Sequence, residues 1–120
     1  MKKAKMENPQ LLDLISFLEK AARENNSKVW EAIAETLSRS RSRRVAVNLS
    51  QINRHTKKAQ VVAVAGKVLG SGTLDHPVTV AAFAFSTTAT GKIRNAKGKC
   101  LTFPDLVKKN PKGSDVKIVG

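Results

Sequence analysis

The segment from Ser38 to Lys67 reads SRSRSRRVAVNLSQINRHTKKAQVVAVAGK and contains eight basic residues and no acidic residue. Its first part, residues 38–44, comes directly after an amphipathic helical pattern and directly before a strand-like run. We call residues 38–44 the arginine loop. Closely spaced fixed positive charges repel one another unless a polyanion neutralises them, and guanidinium groups match phosphate oxygens in paired geometry. The segment therefore predicts a contact with a phosphate backbone.

Charged, polar and backbone groups all contribute to this predicted contact. Arginine and lysine side chains would pair with phosphates, asparagine side chains would hydrogen-bond to sugars and bases, and glycines would let backbone amides approach a structured RNA. The alternatives that remain open are a solvated, flexible Arg-Ser turn for the loop and plain turns for the glycines. The candidate residues are Arg39, Arg41, Arg43, Arg44, Asn48, Asn53, Arg54, Lys57, Lys58, Gly66, Lys67 and Gly70.

Composition limits the classes of protein that this chain can represent. The 120 residues predict one domain, residues 1–120, with a core that needs no metal or disulfide. With 22 basic residues against 9 acidic and a net charge of +13, the expected partner is a large polyanion. No apolar run approaches the roughly 20 residues that cross a bilayer, so we expect no membrane partner. The single Cys100 fits a reducing compartment, the cytoplasm.

Two amphipathic helices are predicted at the start of the chain. Asn8 would cap the first, with Pro9 at its first position and an end near Arg23, and Ser27 would cap the second. Between residues 7 and 38 there are six acids and three bases, so the basic charge is segregated in the rest of the chain. The apolar stripes are Leu11, Leu14, Ile15, Leu18 and Ala22, then Trp30, Ile33, Ala34 and Leu37.

Short strand and helix patterns follow, which predicts a mixed α/β fold: an N-terminal helical pair followed by small strand and helix units, with no separable linker. Residues 50–56 are polar and turn-like, Gly66 ends a strand, and a sharp bend follows it. Ser86 would cap a helix over residues 87–96. The predicted strands are 45–49, 60–65, 78–85, 100–102 and 116–119, with another helix over 104–109.

Motifs for catalysis, metal binding and free-nucleotide binding are missing from the sequence. Lys67 directly follows Gly66, which does not match a P-loop. His55 and His76 have no Cys, Asp or Glu partner at metal-ligand spacing. Asp75 and His76 suggest an acid and base pair of a small enzyme, but no positioned nucleophile accompanies them, and neighbours on an extended chain point to opposite faces. We expect no catalytic residue, no metal, no cofactor and no small-molecule substrate.

Two further features bear on the kind of polyanion. Trp30 and the four phenylalanines lie in apolar patterns, which favours core positions over a base-stacking platform. An architectural DNA-binding protein is an alternative function, although no helix carries clustered base-reading residues. A second basic cluster, equally consistent with a solvated helix face, comprises Lys92, Arg94, Lys97 and Lys99.

Blocks in a fixed order along almost the whole chain carry a resemblance to a known family. They are Asn8-Pro9, Val29-Trp30, the arginine loop followed by VNLS at 47–50, INR at 52–54, GKVLG at 66–70, LDH at 74–76, VTVAAF at 78–83 and residues 110–120. In these blocks the sequence resembles the archaeal large-subunit ribosomal protein family eighteen, which eukaryotes share and which is related in fold to the bacterial large-subunit protein fifteen.

This resemblance implies an irregular superhelical α/β fold of the fifteen/eighteen type and tight association with large-subunit ribosomal RNA. It also implies neighbouring large-subunit ribosomal proteins as partners, a place in the cytoplasmic ribosome, and no catalytic activity.

Overall fold

The computed structural model describes residues 9–39 and 45–119, in which two helices are followed by five strands and three further helices. The mixed α/β class and the N-terminal helical pair are confirmed. The elements are α1 (Pro9–Asn25), α2 (Lys28–Leu37), β1 (Val45–Asn48), α3 (Leu49–His55), β2 (Val61–Leu69), β3 (Thr79–Phe85), α4 (Thr87–Asn95), β4 (Lys99–Leu101), α5 (Phe103–Lys109) and β5 (Val116–Ile118).

The five strands form one parallel sheet, and the small strand and helix units are arranged around it. The strand order is β1-β2-β3-β4, and β5 also pairs with β2. Both β1 and β5 lie on the same side of β2, because β1 pairs with its second half (Val45 opposite Gly66) and β5 with its first half (Val61 opposite Val116). Parallel strands require long crossover connections, which α3, α4 and α5 supply after β1, β3 and β4.

The connection from β2 to β3 contains no helix. It is the nine-residue segment 70–78, which we call the return segment, because it has to carry the chain back along the length of β2. Nine extended residues span about 30 Å, which matches the length of a nine-residue strand. Leu74 and Val78 of this segment are buried. The return segment therefore covers part of the sheet in place of a helix.

Each face of the sheet has its own apolar layer. On the face that we call the helical-pair face, α1, α2 and α5 pack against small residues of the central strands, such as Ala63, Ala65 and Ala81. On the α3/α4 face, Val62, Val64 and Val80 pack with residues of α3, α4 and the return segment. Parallel sheets are stable only when both faces are covered, and this arrangement covers both.

Most of the expected core is confirmed. Both predicted apolar stripes line the helical-pair face, with Trp30 and Leu37 fully buried and Leu14 and Ile15 partly buried. Ser86 caps α4, since its Oγ accepts a hydrogen bond from the Ala89 N–H at 3.1 Å.

The structure describes one of the two predicted N-caps of the helical pair. Helix α1 begins at Pro9 as predicted, and its predicted cap Asn8 lies outside the described residues. Ser27 occupies the N-cap position of α2, but its buried side chain makes no capping hydrogen bond.

Three details of the sequence interpretation were wrong. Residues 50–56 are not a turn, because helix α3 covers most of them and buries Leu49 and Ile52. Gly66 does not end a strand, because β2 continues through it to Leu69, with a register shift between Val64 and Lys67. Phe17 is not in the core, since 39% of it is exposed.

Candidate nucleic-acid interface

The arginine loop connects the C-terminal end of α2 to the start of β1. Arg39 is exposed, and its backbone N–H donates to the Thr36 carbonyl at 3.3 Å, one residue beyond the C-cap Ser38. Arg41, Arg43 and Arg44 lie outside the described residues. Their contact with a phosphate backbone stays a prediction from the sequence.

The two candidate asparagines both have partners within the protein. Asn48 is the N-cap of α3, and its backbone N–H donates to Gln51 Oε1 at 3.0 Å, as in a capping box. Asn53 Oδ1 accepts a hydrogen bond from the Asp75 N–H of the return segment at 3.1 Å. Both asparagines are half-buried. The structure thus gives each a role in folding, and their contact with RNA stays a prediction.

Asp75 and His76 lie closer together than the sequence suggested. The expectation that their side chains point to opposite faces was wrong, because the Asp75 carboxylate accepts a hydrogen bond from His76 Nδ1 at 2.8 Å. His76 Nε2 lies 2.8 Å from Thr56 Oγ1, and that hydroxyl donates to the Ile52 carbonyl at 2.6 Å.

This Asp-His-Thr arrangement resembles a nucleophile with its base but has a structural role. Thr56 is only 8% exposed, and its hydrogen already binds the Ile52 carbonyl. The hydrogen bonds from His76 and Asn53 hold the pKa of Asp75 below its usual value, which keeps its carboxylate ionised as an acceptor. The network joins the return segment to α3.

The candidate glycines lie below the surface. Gly66 is buried within β2, and Gly70 is buried where the return segment begins. A Cβ on Gly70 would lie 2.6 Å from Thr88 Cγ2 and 2.9 Å from the Ala89 nitrogen, so α4 leaves no space for a side chain there. Close packing is thus a sufficient reason for glycine at position 70, and an approach to RNA stays a prediction for both glycines.

Lys92 of the second basic cluster is used within the protein. Its Nζ donates to the Gly70 and Gly72 carbonyls, at 2.8 Å each. It is partly buried in contact with the start of the return segment, so it is not a free cation of the surface.

The four candidate cations after β1 are exposed, but they do not form one patch. Within the described residues Arg54, Lys57, Lys58 and Lys67 form no ion pair. Arg54 lies in the last turn of α3, and the two lysines follow that helix directly. Lys67 is six residues into β2, about 20 Å along the strand, and it alternates with Val68, so it lies on the opposite face of the sheet from the α3/α4 layer.

The structure does combine two clusters that are remote in sequence. Lys97 and Lys99, from the second basic cluster, lie at the same edge of the sheet as Lys57 and Lys58, and all four are exposed. The sequence signal was present as a basic run, but nothing local indicated that its strand would lie near the start of β2.

Charge is distributed unevenly between two parts of the described chain. Residues 45–101 contain eight lysines and arginines and one acid, Asp75, whereas residues 9–37 of the helical pair contain five acids and three bases. In the described part of the chain no group of acidic, histidine or cysteine side chains could hold a metal ion. No helix among these residues is long and apolar enough to cross a membrane.

These features define a small, basic α/β protein with a surface suited to polyanions. The family model described as ribosomal protein 60S L18 and 50S L18e matches residues 1–119. The chain belongs to this family.

Curated archaeal proteins support that assignment. The chain is 50% identical to "Large ribosomal subunit protein eL18" of Methanoregula boonei over 112 residues, which cover 93% of each chain. It is 46% identical to the protein of the same name from Methanothermobacter thermautotrophicus, with the same coverage. It is 42% identical to that of Methanococcus maripaludis over 119 residues, which cover 99% of each chain.

Proposed function

We propose that this protein is a structural constituent of the large ribosomal subunit, which binds folded ribosomal RNA through the arginine loop and the exposed cations that follow it. One observation carries the proposal: in residues 45–101 eight bases stand against one acid, and most of these bases are exposed and unpaired within the described residues. Large-subunit ribosomal RNA and neighbouring ribosomal proteins are its proposed partners, and the cytoplasmic ribosome is its proposed location.

The proposed role is mechanical rather than catalytic. Cations placed against phosphates release the counterions that surround RNA, so binding neutralises charge and fixes the orientation of the protein on the RNA. The folded body holds the backbone of the cations that follow β1, namely Arg54, Lys57, Lys58 and Lys67, at defined positions. The Asp75–His76–Thr56 network supports the absence of catalysis among the described residues, because its hydroxyl is buried and already hydrogen-bonded.

The test measures binding of the full chain to transcribed fragments of large-subunit ribosomal RNA over a range of salt concentrations. If about six phosphates are neutralised, log K against log salt should have a slope of about −4 to −5. Replacing Arg41, Arg43 and Arg44 by Ala should reduce this slope by about two to three and leave the melting temperature nearly unchanged.

A matched control removes three cations of the helical pair. Lys20, Arg23 and Lys28 are exposed on the helical pair, and replacing them by Ala should leave the slope almost unchanged. A wild-type slope near −1, or equal losses in the two triple variants, would contradict the proposal. Stronger binding to duplex DNA than to ribosomal RNA in competition would favour an architectural DNA-binding protein instead.

A further inference from the structure

Four exposed lysines from two distant parts of the chain meet at the edge of the sheet where its strands begin. Lys57 and Lys58 lie in the turn before β2, and Lys97 and Lys99 lie at the start of β4. The register aligns Val61 with Thr79, and Thr79 with Lys99. Adjacent strands are about 4.8 Å apart, so the start of β4 lies roughly 10 Å from the start of β2.

Backbone hydrogen bonds fix both turns to the same short stretch between them. The Ala59 N–H donates to the Pro77 carbonyl at 2.8 Å, and the Lys99 N–H donates to the Val78 carbonyl at 3.0 Å. Gly98 packs so closely on Val78 that a Cβ would overlap with the Val78 carbonyl oxygen. The two lysine pairs are thus mounted on one rigid support.

A shallow concavity lies between the two turns. Its volume is about 190 Å³, and its walls come from Ala59, the stretch 77–79 and the turn 97–99. In the structure as described, none of the four lysines has a carboxylate partner. Lys97 and Lys99 line one side of this concavity, and Ala59, which directly follows Lys58, lines the other.

Lys97 has a backbone conformation that is unusual for a residue with a side chain. Lys97 follows the C-cap of α4 in a left-handed conformation, with φ of 67°, and the Gly98 N–H donates back to the Ile93 carbonyl at 2.9 Å. Glycine is the usual residue at this position of a helix end, since left-handed backbone is unfavourable for residues with a Cβ. The chain has a lysine there instead.

Two carboxylates limit the extent of the positive edge. Asp115 directly precedes β5, which pairs with β2 on the side away from β3, so it lies beyond the Lys57–Lys58 turn. Asp75, two residues before Pro77 in the return segment, is hydrogen-bonded to His76 and, through its backbone N–H, to Asn53 of α3. Among the described residues, neither carboxylate forms an ion pair with one of the four lysines.

We propose that Lys57, Lys58, Lys97 and Lys99 form a clamp for one continuous stretch of RNA phosphate backbone, separate from the arginine loop. The inference rests on the proposed function, because it assumes that the polyanion is ribosomal RNA. It adds a second contact that includes Lys97 and Lys99. It also predicts that both turns bind the same stretch of RNA.

The first experiment measures binding of full-length variants to transcribed domains of large-subunit ribosomal RNA. Lys97→Asn removes the charge but keeps a residue that tolerates left-handed backbone, and Lys58→Gln removes the charge of the other turn. At 0.1 M salt each change should weaken binding about tenfold, and the pair about a hundredfold, with the salt slope reduced by about two. Lys108→Gln, an exposed lysine of α5, is the matched control and should change affinity less than about twofold.

One further variant and a folding control make this test sharper. Asp115 also has a left-handed backbone, with φ of 62°, so Asp115→Asn removes a negative charge from the same edge without new strain. This variant should strengthen binding by a few fold. Thermal melting of each variant shows whether it is folded, since the four lysines are exposed and their removal should not change the melting temperature.

The second experiment tests whether one stretch of RNA contacts both turns. Purified large subunits are treated with an amine-reactive diazirine reagent, and each crosslinked lysine is mapped to its nucleotide. Crosslinks from Lys57 or Lys58 and from Lys97 or Lys99 should map within a few nucleotides of each other. Crosslinks to unrelated RNA helices, or to an acidic segment of a neighbouring protein, would overturn the clamp.

The results separate the clamp from the function on which it rests. If the arginine-loop variant loses affinity while Lys97→Asn and Lys58→Gln do not, the clamp is wrong and the proposed ribosomal function stands. If the wild-type chain shows no salt-sensitive binding to ribosomal RNA, both are wrong.

Discussion

The two faces of the sheet have similar interiors and different surfaces. Both bury a continuous layer of aliphatic side chains, and the helical-pair face also buries Trp30 and Phe103. Yet residues 9–37, whose two helices pack on the helical-pair face, contain five acids and three bases. Residues 45–101, which form the α3/α4 face and also place Lys67 on the other side of the sheet, contain one acid and eight bases. Since the apolar layers already stabilise each face, the charge difference is not needed for folding. We attribute the charge difference to interactions of the surface with other molecules.

The way in which each face is held together also differs. The helical-pair face depends on long side chains of two amphipathic helices. The α3/α4 face depends on short helices and on the return segment, which polar contacts from Asn53, Thr56 and Lys92 hold in place. Damage to the first face should therefore affect stability most, and damage to the second should produce smaller, more local changes.

The largest effect is expected at Trp30 on the helical-pair face. Trp30→Ala removes a fully buried side chain whose Nε1–H donates to the Pro111 carbonyl at 2.7 Å. We expect a loss of about 3–5 kcal/mol in the free energy of unfolding, measured by urea denaturation. Trp30→Phe keeps an aromatic ring and loses the hydrogen bond, so it should cost clearly less. Equal losses in the two variants would show that the hydrogen bond, and not the packing, dominates.

An intermediate effect is expected at Gly70 on the α3/α4 face. Gly70→Ala places a methyl group against Thr88 and the Ala89 backbone, and should destabilise the fold by about 1–3 kcal/mol even without RNA. Gly91→Ala is the control: a Cβ there meets nothing within 4 Å, and alanine favours the helix, so stability should rise by about 0.5–1 kcal/mol. An unchanged stability for Gly70→Ala with a large loss of RNA affinity would instead support a backbone approach to RNA at this glycine.

The smallest effect is expected at Asp75. The lowered pKa of Asp75 means that its carboxylate stabilises the fold above pH 3.8, the ordinary value, and that this contribution disappears as pH falls through the lower folded-state pKa. Asp75→Asn should therefore lower the melting temperature slightly at pH 7 and by less at pH 3. Because the carboxylate is largely exposed, the difference should be small. A difference that is the same at both pH values would show that the charge of Asp75 plays no part.

Particular residues show how far the sequence could be interpreted. Helices α1, α2, α4 and α5 followed from local apolar spacing and capping residues. Helix α3 was missed because residues 50–56 are mostly polar, yet two local signals were present: Leu49 and Ile52 at helical spacing, and Asn48 with Gln51 as a capping box. The continuation of β2 through Gly66 was missed because glycine usually interrupts strands. Pairing of β2 with β1 on one side and with β3 on the other keeps Gly66 within the strand.

The sequence by itself determined the fold class, the two buried stripes of the helical pair and the segregation of charge, because these depend on the spacing and type of neighbouring residues. Only the tertiary structure decided that Lys57 and Lys58 lie beside Lys97 and Lys99, that Lys92 binds the return segment, and that Asp75, His76 and Thr56 meet. These arrangements depend on strand order and register, which come from contacts between distant parts of the chain. Local patterns do not encode such contacts, because many registers would bury the same apolar residues.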